Sequence, residues 1–239
     1  MDSRSLRLPR VSKLLKTKYL VRGTWCVGLF ALIACGAKNS KQNPTPAPTA
    51  PLPTAGLAGQ KVALTPLALV AAEEELHWDS LVTNRRGSLD TSDSIITTLL
   101  TARVPEVTWV PPAELRRVAR RAPGIAADPD QMGTPFLRAD KLVDVPDPLR
   151  YQLRTLVGLV GGRYAMVPAG LVFRTADPDS GDSASAVRPS GRQAVAELSV
   201  VLIDTRVGKV GWRTVARGEG PDPWTALTRA VKSLTPGLP

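Results

Sequence analysis

The chain has 239 residues, 43% of them apolar, 22% charged and 5% aromatic, with a formal charge of +10. That apolar content excludes a wholly disordered or fibrous chain, and one histidine with two cysteines excludes a His/Cys zinc centre or a multi-disulfide scaffold. The charge would suggest nucleic acid were it evenly spread, but residues 1–34 hold seven Lys/Arg and one acid, leaving 24 basic against 20 acidic side chains elsewhere; no nucleic-acid partner is expected.

A basic stretch ending at Arg22 precedes twelve mostly apolar residues, Gly23 to Ala34. This length fits the apolar region of a secretory signal and falls short of the roughly 20 residues a membrane-spanning helix needs. The run ends Leu32-Ile33-Ala34-Cys35-Gly36, which resembles the bacterial lipobox. The resemblance implies cleavage after Ala34 and diacylation of Cys35. Because Gly36 stands where an inner-membrane retention signal would place Asp, it also implies an outer-membrane lipoprotein facing the periplasm. Two acyl chains supply the two signals that stable anchoring requires. Cys26 then leaves with the signal and Cys35 is taken by lipid, so no thiol remains for a disulfide, a metal or a nucleophile. A plain signal peptide, or an apolar helix with a chance cysteine, is the competing reading.

Residues 35–60 follow as a lipidated cysteine and a tether. Lys38 to Gln60 is rich in proline, which joins neither helix nor sheet ladder, and poor in large apolar groups. An extended, partly polyproline II spacer is expected, reaching roughly 60 Å from the membrane at about 3.1 Å per residue.

Residues 61–239 are long enough to bury a core and form one periplasmic domain. The apolar run Lys61–Leu69 predicts a buried strand. A loop with the only histidine, His77, leads to a helix over Ser92–Leu100, capped from the Asp90–Asp93 cluster. Val107–Val110 predicts a short strand stopped by Pro111-Pro112. These prolines open a helix through Arg121, with Leu115, Val118 and Ala122 inward and Arg116, Arg117, Arg120 and Arg121 outward. Asp147-Pro148 opens another helix, striped by Leu149, Leu153, Leu156, Val157 and Val160. Arg163–Arg174 predicts a strand in which Pro168 demands an edge or a bulge. A polar loop, Asp177–Ser185, precedes the cleanest strand, Gln193–Asp204, where Ala194, Ala196, Leu198, Val200 and Leu202 share a face. Thr205–Gly208 turns the chain, with Gly208 suited to positive φ. Lys209–Gly218 returns with Val210, Trp212, Thr214 and Ala216 on one face. Asp222 caps a last helix striped by Trp224, Leu227, Val231 and Leu234. The order β-α-β-α-α-β-β-β-α predicts an α/β (α+β) fold, a mixed sheet flanked by helices in two or three layers. Trp212 and Trp224 are expected to be buried close together.

Gly162-Arg-Tyr-Ala-Met-Val-Pro-Ala-Gly170 is similar to a strand motif of lipoproteins of the curli-secretion (CsgG) and LpoB type. Val201 to Trp212 resembles their Asp-x-x-x-Gly-Lys hairpin, and Gly218 to Ala230 their Gly-rich entry to an Ala-rich final helix. The likeness covers roughly residues 61–236. It implies the small α/β domain also found at the amino end of TolB-like proteins, and carries over no catalytic residue. Members of the family secrete curli, activate peptidoglycan synthases or have no known role; its pore formers insert amphipathic hairpins. The polar segment between Arg174 and Gln193 lacks the alternating ten-residue segments of a barrel, which disfavours a pore.

Candidate sites are few. His77, beside Trp78 and after Glu73-Glu74-Glu75, has no nucleophile motif to serve and reads as a solvated loop histidine. Asp147, Asp204 and Asp222 read as turn and cap residues. The Arg116, Arg117, Arg120 and Arg121 face is either a solvated surface or a contact for an anionic partner such as lipid headgroups or a wall polymer. No phosphate loop follows a strand. The sequence thus predicts a non-enzymatic outer-membrane lipoprotein, without catalytic residues, metal or cofactor, whose domain docks on an envelope protein as a synthase activator or in envelope assembly. The alternatives are a subunit of a CsgG-type secretion or assembly ring and an envelope enzyme.

Overall fold

A computed structural model of the chain describes residues 49–176 and 194–236. The signal segment, Cys35, most of the tether and the Asp177–Ser185 loop lie outside the described residues. The elements in chain order are α1 (Thr54–Leu57), β1 (Lys61–Leu64), β2 (Val70–Ala72), α2 (Asp79–Thr83), α3 (Arg85–Arg103), β3 (Thr108–Val110), α4 (Pro112–Arg121), α5 (Leu149–Leu159), β4 (Tyr164–Thr175), β5 (Ala194–Asp204), β6 (Lys209–Gly220) and α6 (Pro223–Ser233).

The strands form one mixed six-stranded sheet in the order β3-β1-β4-β5-β6. β1 lies parallel to β3 and to the first half of β4, and β2 lies parallel to the second half of β4. The expected strand Lys61–Leu69 therefore ends at Leu64, because Pro66 can donate nothing to a ladder and the chain leaves the sheet there, re-entering it only at Val70 as β2. Pro168 sits opposite that gap, between the β4 residues paired with β1 and those paired with β2. On its other side the β4–β5 register shifts between Pro168 and Gly170. The bulge that proline demanded is present, within a central strand.

β5 alternates as expected. Ala194, Ala196, Leu198, Val200 and Leu202 face one core layer with Ile96 and Leu100 of α3 and Leu227 and Val231 of α6. Val201 and Ile203 face a second layer with Leu115 of α4 and Leu153, Leu156 and Val157 of α5. The sheet is thus sandwiched between helices on both faces, the mixed α/β architecture the element order implied.

Several local expectations are corrected. On β6 the register shifts between Leu202 and Ile203, pairing them with Trp212 and Val210 and leaving Gly211 as the extra residue. Val210 consequently packs on the α4–α5 layer and Trp212 on the α3–α6 layer, instead of sharing a face. Trp212 and Trp224 are both half-buried against that same layer. Trp212→Ala is therefore expected to destabilise by about 2 kcal/mol, below the 3–5 kcal/mol of a fully enclosed aromatic, as read from the chemical denaturation midpoint.

α3 starts seven residues before Ser92, capped by the Asn84 side chain, which accepts the Gly87 N–H. In α4 the buried positions are Pro112, Leu115 and Ala119, with Val118 and Ala122 only half-buried. Asp147 caps nothing and pairs with Arg150 at 3.0 Å instead.

Residues 49–60, assigned to the tether by composition, are folded against the domain. Leu52 and Leu57 are buried, the Leu52 N–H donates to Leu234 C=O at 2.8 Å, and the Ala50 N–H donates to Thr214 Oγ1 at 2.9 Å. Thr49 Oγ1 donates to Val215 C=O at 3.3 Å. Two leucines spaced five apart are enough to seat a segment whose average composition reads as spacer.

Candidate functional site

Leu115 and Ala119 turn one line of α4 into the core, which sets Arg116 on the flank facing α3. Asp93 lies on the inner stripe of α3, three and seven residues before the buried Ile96 and Leu100. Its Oδ2 accepts from Arg116 Nη2 at 2.8 Å, and its Oδ1 accepts the Leu67 N–H, also at 2.8 Å. Arg116 reaches further, to both carboxylate oxygens of Asp130 through Nε and to Oδ1 through Nη2, at 2.8 to 3.1 Å. Asp130 is positioned by a short 3-10 turn, Pro129–Gln131, which Asp128 caps by accepting the Asp130 N–H. Arg86 of α3 completes the network, 3.1 Å from Asp90 and 3.4 Å from Asp130. Beside it lies a cavity of about 380 Å³ walled by Ser94, Thr97, Thr98, Pro111 and Pro112.

Burial pushes the Asp93 carboxyl up to about 6, against the Leu67 N–H and the Arg116 guanidinium, which favour its ionised form. Asp130 is also partly desolvated, but Arg116 and Arg86 outweigh this and hold it below the ordinary carboxylate range. Arg116 is held above the ordinary guanidinium value, by its Asp130 bond before any other.

The four arginines read as one outward face are therefore divided. Arg116 is committed to carboxylates within the chain, and Arg117 pairs with Glu114 one turn back. Arg120 and Arg121 are exposed in the last turn of α4, where a cation also complements the helix dipole. The surroundings are electrically balanced: Arg86, Arg116, Arg117, Arg120 and Arg121 stand against Asp90, Asp93, Glu114, Asp128 and Asp130. Sequence reasoning missed Asp93 and Asp130. For Asp93 the signal was available, an acid at helical spacing from Ile96 and Leu100; Asp130 offered none.

The other singled-out residues fall as follows. His77 is exposed in a left-handed conformation after the Glu74–Leu76 3-10 turn. Asp222 caps α6, accepting the Trp224 and Thr225 N–H groups at 3.0 Å. Asp204 closes the hairpin turn: it accepts the Arg206 N–H and a two-pronged Arg163 contact at 2.9 and 2.5 Å. Burial opposes ionisation of Asp204, yet these donors hold it below its ordinary value.

A second feature gathers at the β5–β6 turn. Gly208, at φ +72°, lets the chain reverse tightly. Its C=O accepts the Val145 N–H, and the Val210 N–H donates to Val143 C=O, both at 2.9 Å. The Arg150 side chain lies across Gly208 where any other side chain would stand. These bonds join the Val143–Val145 segment to the hairpin turn, and Arg150 sets the first turn of α5 against Gly208; each of the three segments carries a largely exposed apolar side chain, Val143 at 61%, Tyr151 at 67% and Val207 at 59%.

No family model and no curated protein matches the chain. Among solved structures it is similar to the LpoB C-terminal domain from Salmonella enterica, with 13% identity, 68% of this chain and 83% of that chain covered, and a TM-score of 0.30. It is also similar to the PelC dodecamer from Paraburkholderia phytofirmans, with 13% identity, 79% and 94% covered, and a TM-score of 0.31. Lipoprotein GNA1162 from Neisseria meningitidis shares 11% identity over 69% and 86%, with a TM-score of 0.29. The LpoB type named by the hairpin and final-helix motifs is thus among the structures to which the chain is similar.

Proposed function

We propose that this chain is a non-enzymatic outer-membrane lipoprotein, anchored by acyl chains on Cys35, whose periplasmic α/β domain docks on a protein partner of the cell envelope. The anchor rests on the lipobox resemblance. The span from Gly36 to Pro48 gives about 40 Å of reach at polyproline II rise, less than the roughly 60 Å expected when residues 49–60 were counted as spacer. The docking rests on one observation above all: the segments that meet at the β5–β6 turn each expose an apolar side chain, Val143, Tyr151 and Val207. Exposed apolar side chains on adjoining segments that also carry charges, here Arg150, Arg206 and Lys209, are the usual makings of a protein contact. Arg120 and Arg121, at the exposed end of α4, are assigned to an anionic surface of that partner.

Two variants test the reading in a deletion strain. Cys35→Ser is expected to lose palmitate labelling and leave the membrane fraction. Val143→Asp/Val207→Asp, on a surface where substitutions barely affect folding, is expected to stay acylated and membrane-bound yet fail to complement. Absence of label on wild-type Cys35 sinks the anchor; full complementation by the double variant sinks the docking site.

A further inference from the structure

The cluster between α3 and α4 contains three carboxyl groups, Asp90, Asp93 and Asp130, and two guanidinium groups, Arg86 and Arg116. Fully ionised, it carries one negative charge in excess. Its members are unequally exposed: the side chains are 48% exposed for Asp90, 18% for Asp130 and 7% for Asp93. An excess charge is least tolerable where water is least accessible, so the first proton taken up belongs on Asp93.

The groups facing Asp93 come from three neighbouring elements and its own helix. The β1–β2 connection supplies the Leu67 N–H, α4 supplies Arg116, the 129–131 turn supplies Asp130 beyond Arg116, and α3 supplies Asp90 and Arg86. The two oxygens of Asp93 have separate duties, Oδ1 toward Leu67 and Oδ2 toward Arg116. A proton on Oδ2 leaves the Leu67 bond in place and opposes only the Arg116 contact. Arg116 already holds Asp130 through two nitrogens, so it has somewhere to go.

We propose that Asp93 is a proton-operated clasp: ionised, it ties α4 to α3 through Arg116; protonated, it keeps the β1–β2 connection and cedes Arg116 to Asp130. The sign of the accompanying stability change follows from linkage. Asp93 binds its proton more tightly in the folded chain, at about 6, than the roughly 3.9 of an unfolded aspartate. Folding therefore gains as pH falls from 7 toward 4. The carboxyl groups held low in the fold, Asp130, Glu197, Asp204 and Asp222, lose their contribution only at lower pH. Between pH 7 and pH 5 the folding equilibrium constant is expected to rise about tenfold.

The test is carbon-detected NMR of the aspartate carboxyl groups in the full chain in detergent micelles, with the Arg116 Nε–H followed over the same titration. The expected result is an Asp93 midpoint near pH 6 with a matching shift at Arg116. A midpoint below about 4.5, or an Arg116 resonance that does not move with Asp93, overturns the clasp. Asp93→Asn, the fixed mimic of the protonated side chain, is expected to abolish the tenfold pH 7-to-5 difference; its persistence in that variant also overturns the proposal. Should that variant not fold, the wild-type titration decides alone.

Discussion

Replacing Gly218 by alanine is expected to destabilise the domain by about 3 kcal/mol, at the upper end of what one added methyl does in a packed interior. Gly218 lies on β6 directly beneath α6. A Cβ there would stand 2.5 Å from the Ala226 carbonyl oxygen, 2.6 Å from the Arg229 carbonyl carbon and closer still to the Ala230 nitrogen. All three are backbone atoms, so no rotamer change can make room and the helix must lift from the sheet. Ala226 and Ala230, both fully buried, are the small residues that let α6 come so near. Lifting α6 would open the layer that holds Leu227 and Val231. Urea denaturation followed by circular dichroism measures the effect. Gly211→Ala is the control, since its added Cβ would meet nothing nearer than 3.8 Å. Equal denaturation midpoints for Gly218→Ala and the wild type would show that α6 does not sit on the strand as described.

Phe173→Ala is expected to cost 3–5 kcal/mol, roughly the range for emptying an enclosed aromatic site. The ring is fully buried and meets Trp78 edge-to-face, centroids 5.4 Å apart at 76°. It lies on the part of β4 paired with β2, opposite Ala72. The cavity would therefore undermine the segment that carries the Glu74–Leu76 turn, His77 and α2, and Trp78 would gain water. Thermal denaturation should show the loss, and tryptophan emission should shift to the red even below the midpoint. Phe173→Leu should recover most of the stability. An alanine variant as stable as the leucine one would mean that the ring is not enclosed.

Much of this fold could be read from residue order because the deciding interactions are local. The two-residue alternation of β5, the proline bulge in β4, the positive-φ glycine of the hairpin and the Asp222 cap each depend on a few neighbours. Failures came where one residue shifted a count or where a distant element decided. Gly211 adds a single residue to β6, and periodicity alone cannot tell a bulge from a regular strand, so Val210 was placed on the wrong face. The inner line of α4 was legible through Leu115. Which flank met α3 was not, because the packing of the two helices is tertiary; Arg116 was accordingly grouped with the exposed arginines. The tether ended early because Leu52 and Leu57, two buried side chains in a proline-rich background, vanish in a compositional average.

The docked stretch ahead of α1 also decides how the domain would bear a load. The described chain begins at Thr49, beside the middle of β6, and passes at once to the end of α6 through the Leu52–Leu234 bond. The end of α6 is itself fastened to α3, since Arg103 donates to Thr235 Oγ1 and to its C=O, each at 2.7 Å. A pull arriving from the N-terminal side is thus taken first by the edge strand β6, at Thr49 and Ala50, and then by the end of α6, at Leu52, one contact after another like stitches. β1 feels no tension until those stitches have parted. Peeling them would lengthen the chain by the dozen residues from Thr49 to Gln60 while the six-stranded sheet stays whole, giving the domain a yielding first stage and a stiff second one.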